Sequence, residues 1–326
     1  MVLMSAELRL STREILHAKA SFYHLVRQFF LERNSIEVIT SPLRLAPPTD
    51  LFLDHFQCKA HADPEVFYMH SSPEYAMKSL LMRGSSDIYQ ICQVARANEA
   101  GNWHSKTFTM LEWYRLGLDL KGLMDEVCAL MSVLYSEQLT PIVLSYQQSY
   151  AQYLNIENIH TMSTQELKLY FKNNGLECSQ DWQKDDFLHF MMTHLLEPKL
   201  QYEPLLIIYD YPASQAALAR CKLDINNIEV ADRFEVYSYG IEIGNGYNEL
   251  TDLKIHEQRF AKDQNLRKAA NKPSYPIDEV FLNDLREYGM PDAVGIAMGI
   301  DRMLSLSLNA KGLLPWCRPA RKDDAV

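Results

Sequence analysis

Glu112 is an acidic residue within an otherwise apolar stretch, Thr107-Phe-Thr-Met-Leu-Glu-Trp-Tyr114. The stretch predicts a β-strand, in which alternate residues share a face, so Glu112 lies between Met110 and Tyr114 on one side. A carboxylate in such surroundings needs a hydrogen bond or a cation. An internal salt bridge and a carboxylate that awaits a cationic ligand are both compatible with this segment.

A predicted hairpin, Arg233–Tyr239 and Ile241–Glu249, has its turn near Tyr239-Gly240 and contains the acids Glu235, Glu242 and Glu249. In the simplest register Glu235 lies opposite Glu242, and like charges at that position repel unless a cation lies between them. Mg²⁺ shared by the two carboxylates would remove the repulsion. A slip of one residue would instead separate them onto opposite faces.

Basic residues follow two other predicted strands. Arg96 and His104 bracket a polar loop between strands, where charge-assisted hydrogen bonds could hold a polyphosphate. A surface arginine beside a solvated loop is the alternative. Arg302 falls in the first turn of a predicted helix after Gly295-Ile-Ala-Met-Gly299, where it opposes the helix dipole unless an anion is nearby.

These residues must be positioned by strands and helices. The expected order of those elements along the sequence predicts an α+β fold, with an antiparallel sheet flanked by helices. Ser11 and Glu14 have capping-box spacing before an amphipathic helix that extends to Asn34. Ser72-Pro-Glu74 is typical of a second helix start. A short strand is predicted over Ile36–Pro42. We expect one domain over residues 1–326, with a helical insertion at about 141–203.

Composition limits the classes of partner. A net charge of -10 disfavours non-specific binding to phosphate backbones, although a local basic patch could exist. The six cysteines show no CxxC pair, which favours reduced thiols in the cytoplasm and no zinc site. We find no apolar run long enough to span a bilayer and no signal peptide, so we expect a cytoplasmic protein.

Taken together, several segments resemble the class II aminoacyl-tRNA synthetase catalytic domain, most closely its lysyl-tRNA synthetase-like branch. That branch includes stand-alone enzymes that ligate β-lysine to elongation factor P. The resemblance covers nearly the whole chain. It rests on Ser72-Pro-Glu-Tyr75, Phe108-Thr-Met-Leu-Glu-Trp-Tyr114, Phe234-Glu-Val-Tyr237, Gly240-Ile-Glu242, Asn245-Gly-Tyr-Asn-Glu-Leu-Thr-Asp252, Gly289-Met-Pro-Asp292 and Gly299-Ile-Asp-Arg302.

The resemblance implies an ATP site and Mg²⁺. Arg96 matches the arginine that holds the α-phosphate and the acyl oxygen, and Arg302 the arginine that contacts the γ-phosphate. His104 matches the residue that reaches the terminal phosphates, and Phe108 the ring that stacks on adenine. Asn98, Ser105, Glu242, Ile243 and Gly299 complete the implied ATP site, while Glu235 and Glu242 match the Mg²⁺-binding acids.

The resemblance also implies a pocket for a lysine-like amino acid, in which carboxylates suit an ε-ammonium group. Its positions are Ser72, Pro73, Glu74, Glu112, Tyr114, Asn245, Tyr247, Glu249 and Ala297. Lysyl-tRNA synthetases usually have glycine at the position of Ala297, and the extra methyl suits an amino group on the β carbon. The predicted helix at Ser11 also leaves no room for a preceding OB-fold anticodon domain.

These two features predict an ATP-dependent ligase that activates (R)-β-lysine as an adenylate and transfers it to a lysine of elongation factor P, with tRNA disfavoured. The family's first motif builds a dimer interface, so the resemblance implies a homodimer. A compact enzyme with another acceptor and a non-catalytic nucleotide- or lysine-binding paralogue stay open as alternatives.

The second family motif departs from the usual pattern. The family reads Arg-x-Glu, whereas Asn98 is the third residue here and Glu99 follows it. The loop usually closes with His-Asn-Pro-Glu-Phe, whereas this chain has His104-Ser-Lys-Thr-Phe108. The altered motif is the main support for the non-catalytic alternative.

Overall fold

The computed structural model describes residues 10–61 and 64–314. The chain divides into two compact units, Met1–Gln138 with Glu249–Val326, and Leu139–Asn248. Strands and helices are mixed in both, which confirms the α+β prediction. The single-domain organisation stays a prediction. The reduced state predicted for Cys317 concerns a position outside the described residues.

The first unit has a small sheet, a larger sheet and six helices among the described residues. Its elements are α1 (Thr12–Leu31), β1 (Ile36–Glu37), β2 (Leu43–Arg44), β3 (Gln57–Cys58), β4 (Phe67–Met69), α2 (Glu74–Met82), β5 (Ile88–Ala95), β6 (Thr107–Leu116), α3 (Leu120–Tyr135), α7 (Leu253–Ala269), α8 (Glu279–Tyr288), β12 (Ala293–Gly299) and α9 (Ile300–Ser307).

The larger sheet of this unit has the order β1-β5-β6-β12. Strand β1 runs parallel to β5, and the other neighbours are antiparallel. Strand β6 is therefore central, and Glu112 on it lies between Gln90 of β5 and Ala297 of β12. A central strand with a neighbour on each side places Glu112 where it has little access to water.

Helix α1 begins as its sequence predicts. Ser11 caps it and forms a capping box with Glu14. Its buried face includes Phe30, whose ring stacks on Tyr89 with centroids 4.4 Å apart and meets Trp113 edge-on at 5.2 Å. Helix α1 thus covers strands β5 and β6 on the side opposite Glu112, since Tyr89 and Trp113 alternate with Gln90 and Glu112.

The strand predicted over Ile36–Pro42 is shorter than expected and covers Ile36–Glu37 only. The backbone N–H of Val38 still donates to Tyr89, but that of Thr40 donates to the side chain of Gln90 at 3.2 Å. The backbone ladder therefore ends before Pro42, because a side chain replaces the main-chain acceptor.

The second unit contains the predicted helical segments together with five strands among the described residues. Its elements are β7 (Ile142–Ser145), α4 (Tyr146–Leu154), α5 (Thr164–Asn173), α6 (Lys184–Phe190), a π-helical turn (Met191–Leu196), two 3₁₀ turns (Glu197–Leu200 and Ala213–Gln215), β8 (Leu206–Pro212), β9 (Cys221–Leu223), β10 (Glu229–Ser238) and β11 (Ile241–Asn248). Its strands follow the order β7-β8-β10-β11, with β9 on β10.

Aromatic and aliphatic residues of the helices cover this sheet. Phe171 and Phe187 pack edge to face at 4.9 Å, and both are fully buried with Leu196 and Ile208. The burial of these large side chains accounts for the association of the helices with β8, at about 1.5–3 kcal/mol for each side chain.

The hairpin β10–β11 turns at Tyr239 and Gly240, as predicted, and both residues have positive φ, which suits a two-residue hairpin turn. The predicted register is wrong. Glu235 pairs with Asn245, and Glu242 pairs with Tyr237. The turn sets the pairs next to it, and a bulge after Val236 shifts the remainder by one residue.

Candidate active site

Glu112 is 2% exposed and accepts two hydroxyl hydrogen bonds, from Ser72 at 2.7 Å and from Tyr114 at 2.5 Å. Among the ion pairs of the described residues, none includes Glu112. Burial, with repulsion from Glu74, raises the pKa of Glu112 to about 8. The buried carboxyl group is held in place by neutral hydroxyl groups, and a cationic ligand beside it would favour its ionised form.

Helix α2 brings a second pair of carboxylates to the same place. The ammonium of Lys78 lies 2.5 Å from Glu74 Oε1 and 2.5 Å from Glu249 Oε2. Lys78 and Glu249 are each 1% exposed. The two carboxylates raise the pKa of Lys78 despite its burial, so the lysine stays charged. The three glutamates predicted for the pocket are therefore brought together, with a lysine that was not predicted.

The start of α2 explains the position of Ser72. The hydroxyl oxygen of Ser72 accepts the N–H of Glu74 at 2.9 Å, although Pro73 stands at the cap position. The same hydroxyl donates to Glu112. Ser72 thus joins the first turn of α2 to strand β6, because its hydroxyl group accepts one hydrogen bond and donates another.

Strand β12 closes the pocket with small residues. Gly295 lies opposite Tyr114, and a Cβ at Gly295 would collide with the Tyr114 ring and with Glu249 Oε1. Ala297 lies opposite Glu112 and is partly buried. The absence of a side chain at Gly295 therefore leaves room for two groups of the pocket.

A cluster of basic side chains forms at the loop between β5 and β6. Arg96 lies 3.7 Å from Glu99 and 5.2 Å from the ring centroid of Phe108, and the His104 imidazole lies 3.8 Å from Glu99. Burial and the guanidinium of Arg302 lower the pKa of His104, with a further contribution from Arg96. These two arginines and the histidine thus share one electrostatic environment.

Arg302 is joined to the same loop. Its Nε donates to the carbonyl of Trp103 at 2.9 Å, from the first turn of α9, which Gly299 precedes. The backbone N–H of Leu313 donates to the carbonyl of Asn102 at 2.8 Å. Two backbone carbonyls of the loop are therefore bound by the segment that includes and follows α9.

Two polar atoms in this region support a ligand site. The hydroxyl of Ser105 and the Nε of Arg96 are buried, and neither finds a hydrogen-bond partner within the part of the chain that the structure describes. Buried polar groups in folded proteins nearly always have partners. An oxygen-rich ligand such as a polyphosphate would supply acceptors for both.

Asn98 points its side-chain amide N–H at the carboxylate of Asp54. Asp54 also accepts from Arg267 at 2.7 Å and from Lys272 at 3.2 Å. Arg267 is fully buried and binds the carbonyls of Asp50 and Leu53. The loop at 50–54 is thus fixed to α7, and it contacts the altered position of the second motif.

The hairpin of the second unit carries the other predicted residues. Arg233, Glu235 and Tyr237 share one face of β10, opposite Tyr247, Asn245 and Glu242 of β11. Asn245 donates to the hydroxyl of Tyr247 at 3.0 Å, whereas Ile243 at the bulge is buried. The predicted residues of β11, with the exception of Ile243, are therefore on one face of the hairpin.

Both carboxylate oxygens of Glu235, a predicted magnesium ligand, already accept hydrogen bonds. Its Oε1 accepts from Arg233, and its Oε2 accepts from the hydroxyls of Tyr211 and Tyr237 at 2.6 Å each. A carboxylate that is already bound by a guanidinium and two hydroxyls is a poor fit for Mg²⁺, which prefers free oxygen ligands. Over the described residues, no group of three or more His, Cys, Asp or Glu side chains could hold a metal ion.

Sequence reasoning missed Lys78, Asp54 and Trp103. Lys78 follows Glu74 by four residues, a spacing that usually indicates an exposed helix pair. Asp54 and Trp103 lie in loops, where no periodicity shows which neighbours they contact. The one available signal was at Lys78, because it lies on the same helix as a predicted pocket carboxylate.

No helix among the described residues is long and apolar enough to cross a membrane. The five described cysteines are free thiols.

Comparison with known proteins gives a consistent result. The family of class II tRNA synthetases (D, K and N) matches residues 3–313. Elongation factor P--(R)-beta-lysine ligase of Edwardsiella ictaluri (strain 93-146) is 39% identical over 303 residues, which cover 90% of this chain and 91% of that protein. The protein of the same name from Pectobacterium carotovorum subsp. carotovorum (strain PC1) has the same identity and the same coverage.

Proposed function

The chain belongs to the class II tRNA synthetase family of the D, K and N type, and on that premise we propose that it ligates (R)-β-lysine to elongation factor P with ATP. The relatives with 39% identity carry this activity in their names. The protein is an ATP-dependent ligase that forms an amide bond.

The single observation that carries the proposal is the state of Glu112. It is a buried carboxylate that accepts from Ser72 and Tyr114 and whose pKa lies near 8. An ammonium group on the substrate would make the ion pair that this carboxylate lacks among the described residues, and would favour its ionised form. A lysine-like side chain has such a group at its end.

The reaction has two steps. The carboxylate oxygen of β-lysine attacks the α-phosphorus of ATP. The bond between the α-phosphorus and the oxygen that bridges to the β-phosphate breaks, and pyrophosphate leaves. The amine of the acceptor lysine then attacks the acyl carbon of the adenylate, loses a proton and releases AMP. The first nucleophile is already an anion, so catalysis consists of positioning and charge neutralisation.

The basic side chains of Arg96, His104 and Arg302 support the proposed ATP site. The buried Arg96 Nε and Ser105 hydroxyl, which have no partners among the described residues, add to that support. Phe108 lies within 5.2 Å of the Arg96 guanidinium, so a base stacked on the ring would come close to the cation. We assign ATP binding to this part of the first unit.

Mg²⁺ belongs to the proposal only through ATP, whose phosphates usually carry it. Glu235 is a poor candidate for binding the ion, because Arg233 already binds this carboxylate. We assign no step of the reaction to the metal ion.

A homodimer is part of the proposal. Apolar side chains at the start of the first unit are exposed to solvent, with Ile39 at 91%. Leu31, Ile36, Leu43 and Leu45 are exposed in the same stretch. Such a concentration of apolar residues is typical of an interface. The free thiols of the described cysteines support a location in the cytoplasm.

The acceptor is proposed to be a protein and not tRNA. The net charge of -10 supports this choice, since binding to a nucleic acid backbone relies on Lys and Arg. A lysyl-transferring enzyme with another acceptor is the second candidate, because the pocket contacts constrain the amino acid and not the acceptor.

The test combines pyrophosphate exchange with label transfer. The full-length protein is incubated with ATP, labelled pyrophosphate and (R)-β-lysine, α-lysine or no amino acid. We expect exchange that depends on β-lysine, followed by transfer of labelled β-lysine to elongation factor P. Transfer to tRNA in place of the protein would contradict the acceptor assignment, and lack of exchange with any amino acid would contradict the ligase.

A further inference from the structure

Lys78 is a buried cation within a pocket that is proposed to bind a cation. Its ammonium lies 2.5 Å from an oxygen of Glu74 and 2.5 Å from an oxygen of Glu249. The Lys78 side chain is 2% exposed, and that of Glu249 is 1% exposed. This is not a solvated helix pair of small energetic effect, because both members of the Lys78–Glu249 pair lie out of water.

The charges of the pocket can be counted from its contacts. Glu74, Glu112 and Glu249 carry three negative charges when ionised, and Lys78 carries one positive charge. The net charge is then -2, with one residual charge on the Glu74–Lys78–Glu249 group and one on Glu112. The two residual charges occupy separate places, since Glu112 is held by Ser72 and Tyr114.

A diamino acid carries two ammonium groups. We propose that Lys78 is the positioning residue that sets the specificity of this pocket for amino acids with two ammonium groups. It cancels one carboxylate and fixes Glu74 and Glu249 at a set separation, so that the two remaining negative charges balance the two ammonium groups of the ligand. This inference rests on the proposed function for the identity of the substrate.

Removal of Lys78 would take away the ammonium that contacts both Glu74 and Glu249. Glu74 and Glu249 would then repel each other, and either their separation or their ionisation must change. Removal of one carboxylate as well would restore the charge of -2. The two changes should therefore compensate each other, which a purely space-filling role for Lys78 does not predict.

The first experiment needs no substrate. The thermal stability at pH 8 is measured for the wild type, Lys78→Met, Glu249→Gln and the double variant. We expect the double variant to unfold at a higher temperature than Lys78→Met, because it holds one buried charge fewer. If Lys78→Met does not fold and the double variant does, the result also confirms that the change at Glu249 compensates for the loss of Lys78. A double variant less stable than Lys78→Met would overturn the proposal.

The second experiment measures selectivity. Binding of (R)-β-lysine and of 6-aminohexanoate, which has one ammonium group, is compared by calorimetry. Glu249→Gln is expected to lower the preference for β-lysine by about tenfold, as for loss of one charged partner. The double variant is expected to recover much of that preference, and Lys78→Arg, which keeps the charge, to bind β-lysine better than Lys78→Met.

The outcomes separate this inference from the proposed function. Binding of β-lysine by the wild type, with a double variant no more selective than Glu249→Gln, would overturn the role of Lys78 alone. A wild type that binds neither β-lysine nor α-lysine, while the stability experiment shows compensation, would overturn the substrate assignment and with it the specificity role.

Discussion

The side-chain amide of Asn98 donates a hydrogen bond to the carboxylate of Asp54. A carboxylate that is ionised can only accept, so the amide nitrogen must face Asp54 and the amide oxygen faces away from it. Hydrogen bonds from Arg267 and Lys272 outweigh the effect of burial and lower the pKa of Asp54. Asn98 is thereby oriented to present an acceptor, the function that a glutamate would supply at this position.

The first prediction concerns Asp54→Asn. An amide at position 54 can face Asn98 in either orientation, so the Asn98 oxygen is no longer fixed outward. The KM for ATP should rise by about threefold to tenfold, as for loss of one hydrogen bond to a charged group. Exchange kinetics at varied ATP measure the change. The KM for β-lysine should stay as in the wild type.

Asp125→Asn is the matched control, because Asp125 forms an exposed pair with Lys121 on α3. It should leave both constants unchanged. An Asp54→Asn protein with wild-type KM for ATP would show that Asn98 does not act through Asp54.

The second prediction is that Arg302→Ala abolishes adenylate formation and leaves the fold intact. The phosphates would lose their proposed contact with the guanidinium, and the backbone carbonyl of Trp103 would lose the hydrogen bond from Arg302. Loss of a preorganised charge contact should lower the exchange rate by about a hundredfold or more. Arg286→Ala, at an exposed arginine paired with Glu257, is the control. Exchange at the wild-type rate would contradict the assignment of Arg302.

The strands that carry the site could be predicted from the sequence because their patterns are local. Strand β6 includes the whole stretch Thr107-Phe-Thr-Met-Leu-Glu-Trp-Tyr114 that predicts it, and the turn at Tyr239-Gly240 follows from a glycine, which tolerates positive φ. The capping box at Ser11 is likewise a local feature. In each case, neighbouring residues determine the structure without help from distant ones.

The register of the hairpin was not predictable in the same way. A two-residue turn fixes the pairs beside it, but the bulge after Val236 depends on packing, including Phe234, whose ring occupies the space next to Gly246. The Asp54–Asn98 contact joins residues separated by 44 positions. Contacts of this kind depend on tertiary structure, and a single sequence does not contain a local signal for them.

The third prediction follows from the pKa of Glu112, which burial and Glu74 raise from 4.5 to about 8. Between these values the folded protein binds a proton that the unfolded chain has released. Stability of the ligand-free protein should therefore decrease as pH rises from about 5 to about 8 through this group. Glu112→Gln resembles the protonated form, so its stability relative to the wild type should increase over the same range.

Thermal unfolding of both proteins between pH 5 and pH 9 measures this difference, with the exposed Glu157→Gln as control. Binding of β-lysine requires the ionised carboxylate, so affinity should fall below about pH 8 and binding should release a proton. A stability difference that is constant with pH would show that Glu112 is already ionised in the ligand-free protein.

The fourth prediction concerns the exposed apolar residues of the first unit. Ile39→Asp places a charge on a surface that is proposed to be buried between two copies, so the protein should become a monomer. Light scattering coupled to size-exclusion chromatography measures the mass. Ile225→Asp is the control, because Ile225 is 99% exposed but lies in the second unit. A wild type that is monomeric, or a dimeric Ile39→Asp protein, would contradict the proposed interface.

The fifth prediction concerns Ala297, which lies on β12 directly opposite Glu112. The methyl group of Ala297 reduces the space beside the carboxylate that is proposed to bind the substrate ammonium. Removal of this methyl in Ala297→Gly should relax the pocket towards α-lysine, and the ratio of kcat/KM for β-lysine to that for α-lysine should fall by about tenfold, as for one methyl group in a binding site. Pyrophosphate exchange with each amino acid measures the ratio.

Ala293→Gly is the control, because it introduces the same flexibility in the same strand, opposite Leu116. It should leave the ratio unchanged. Equal ratios in the wild type and Ala297→Gly would mean that the preference between the two amino acids is set elsewhere in the pocket.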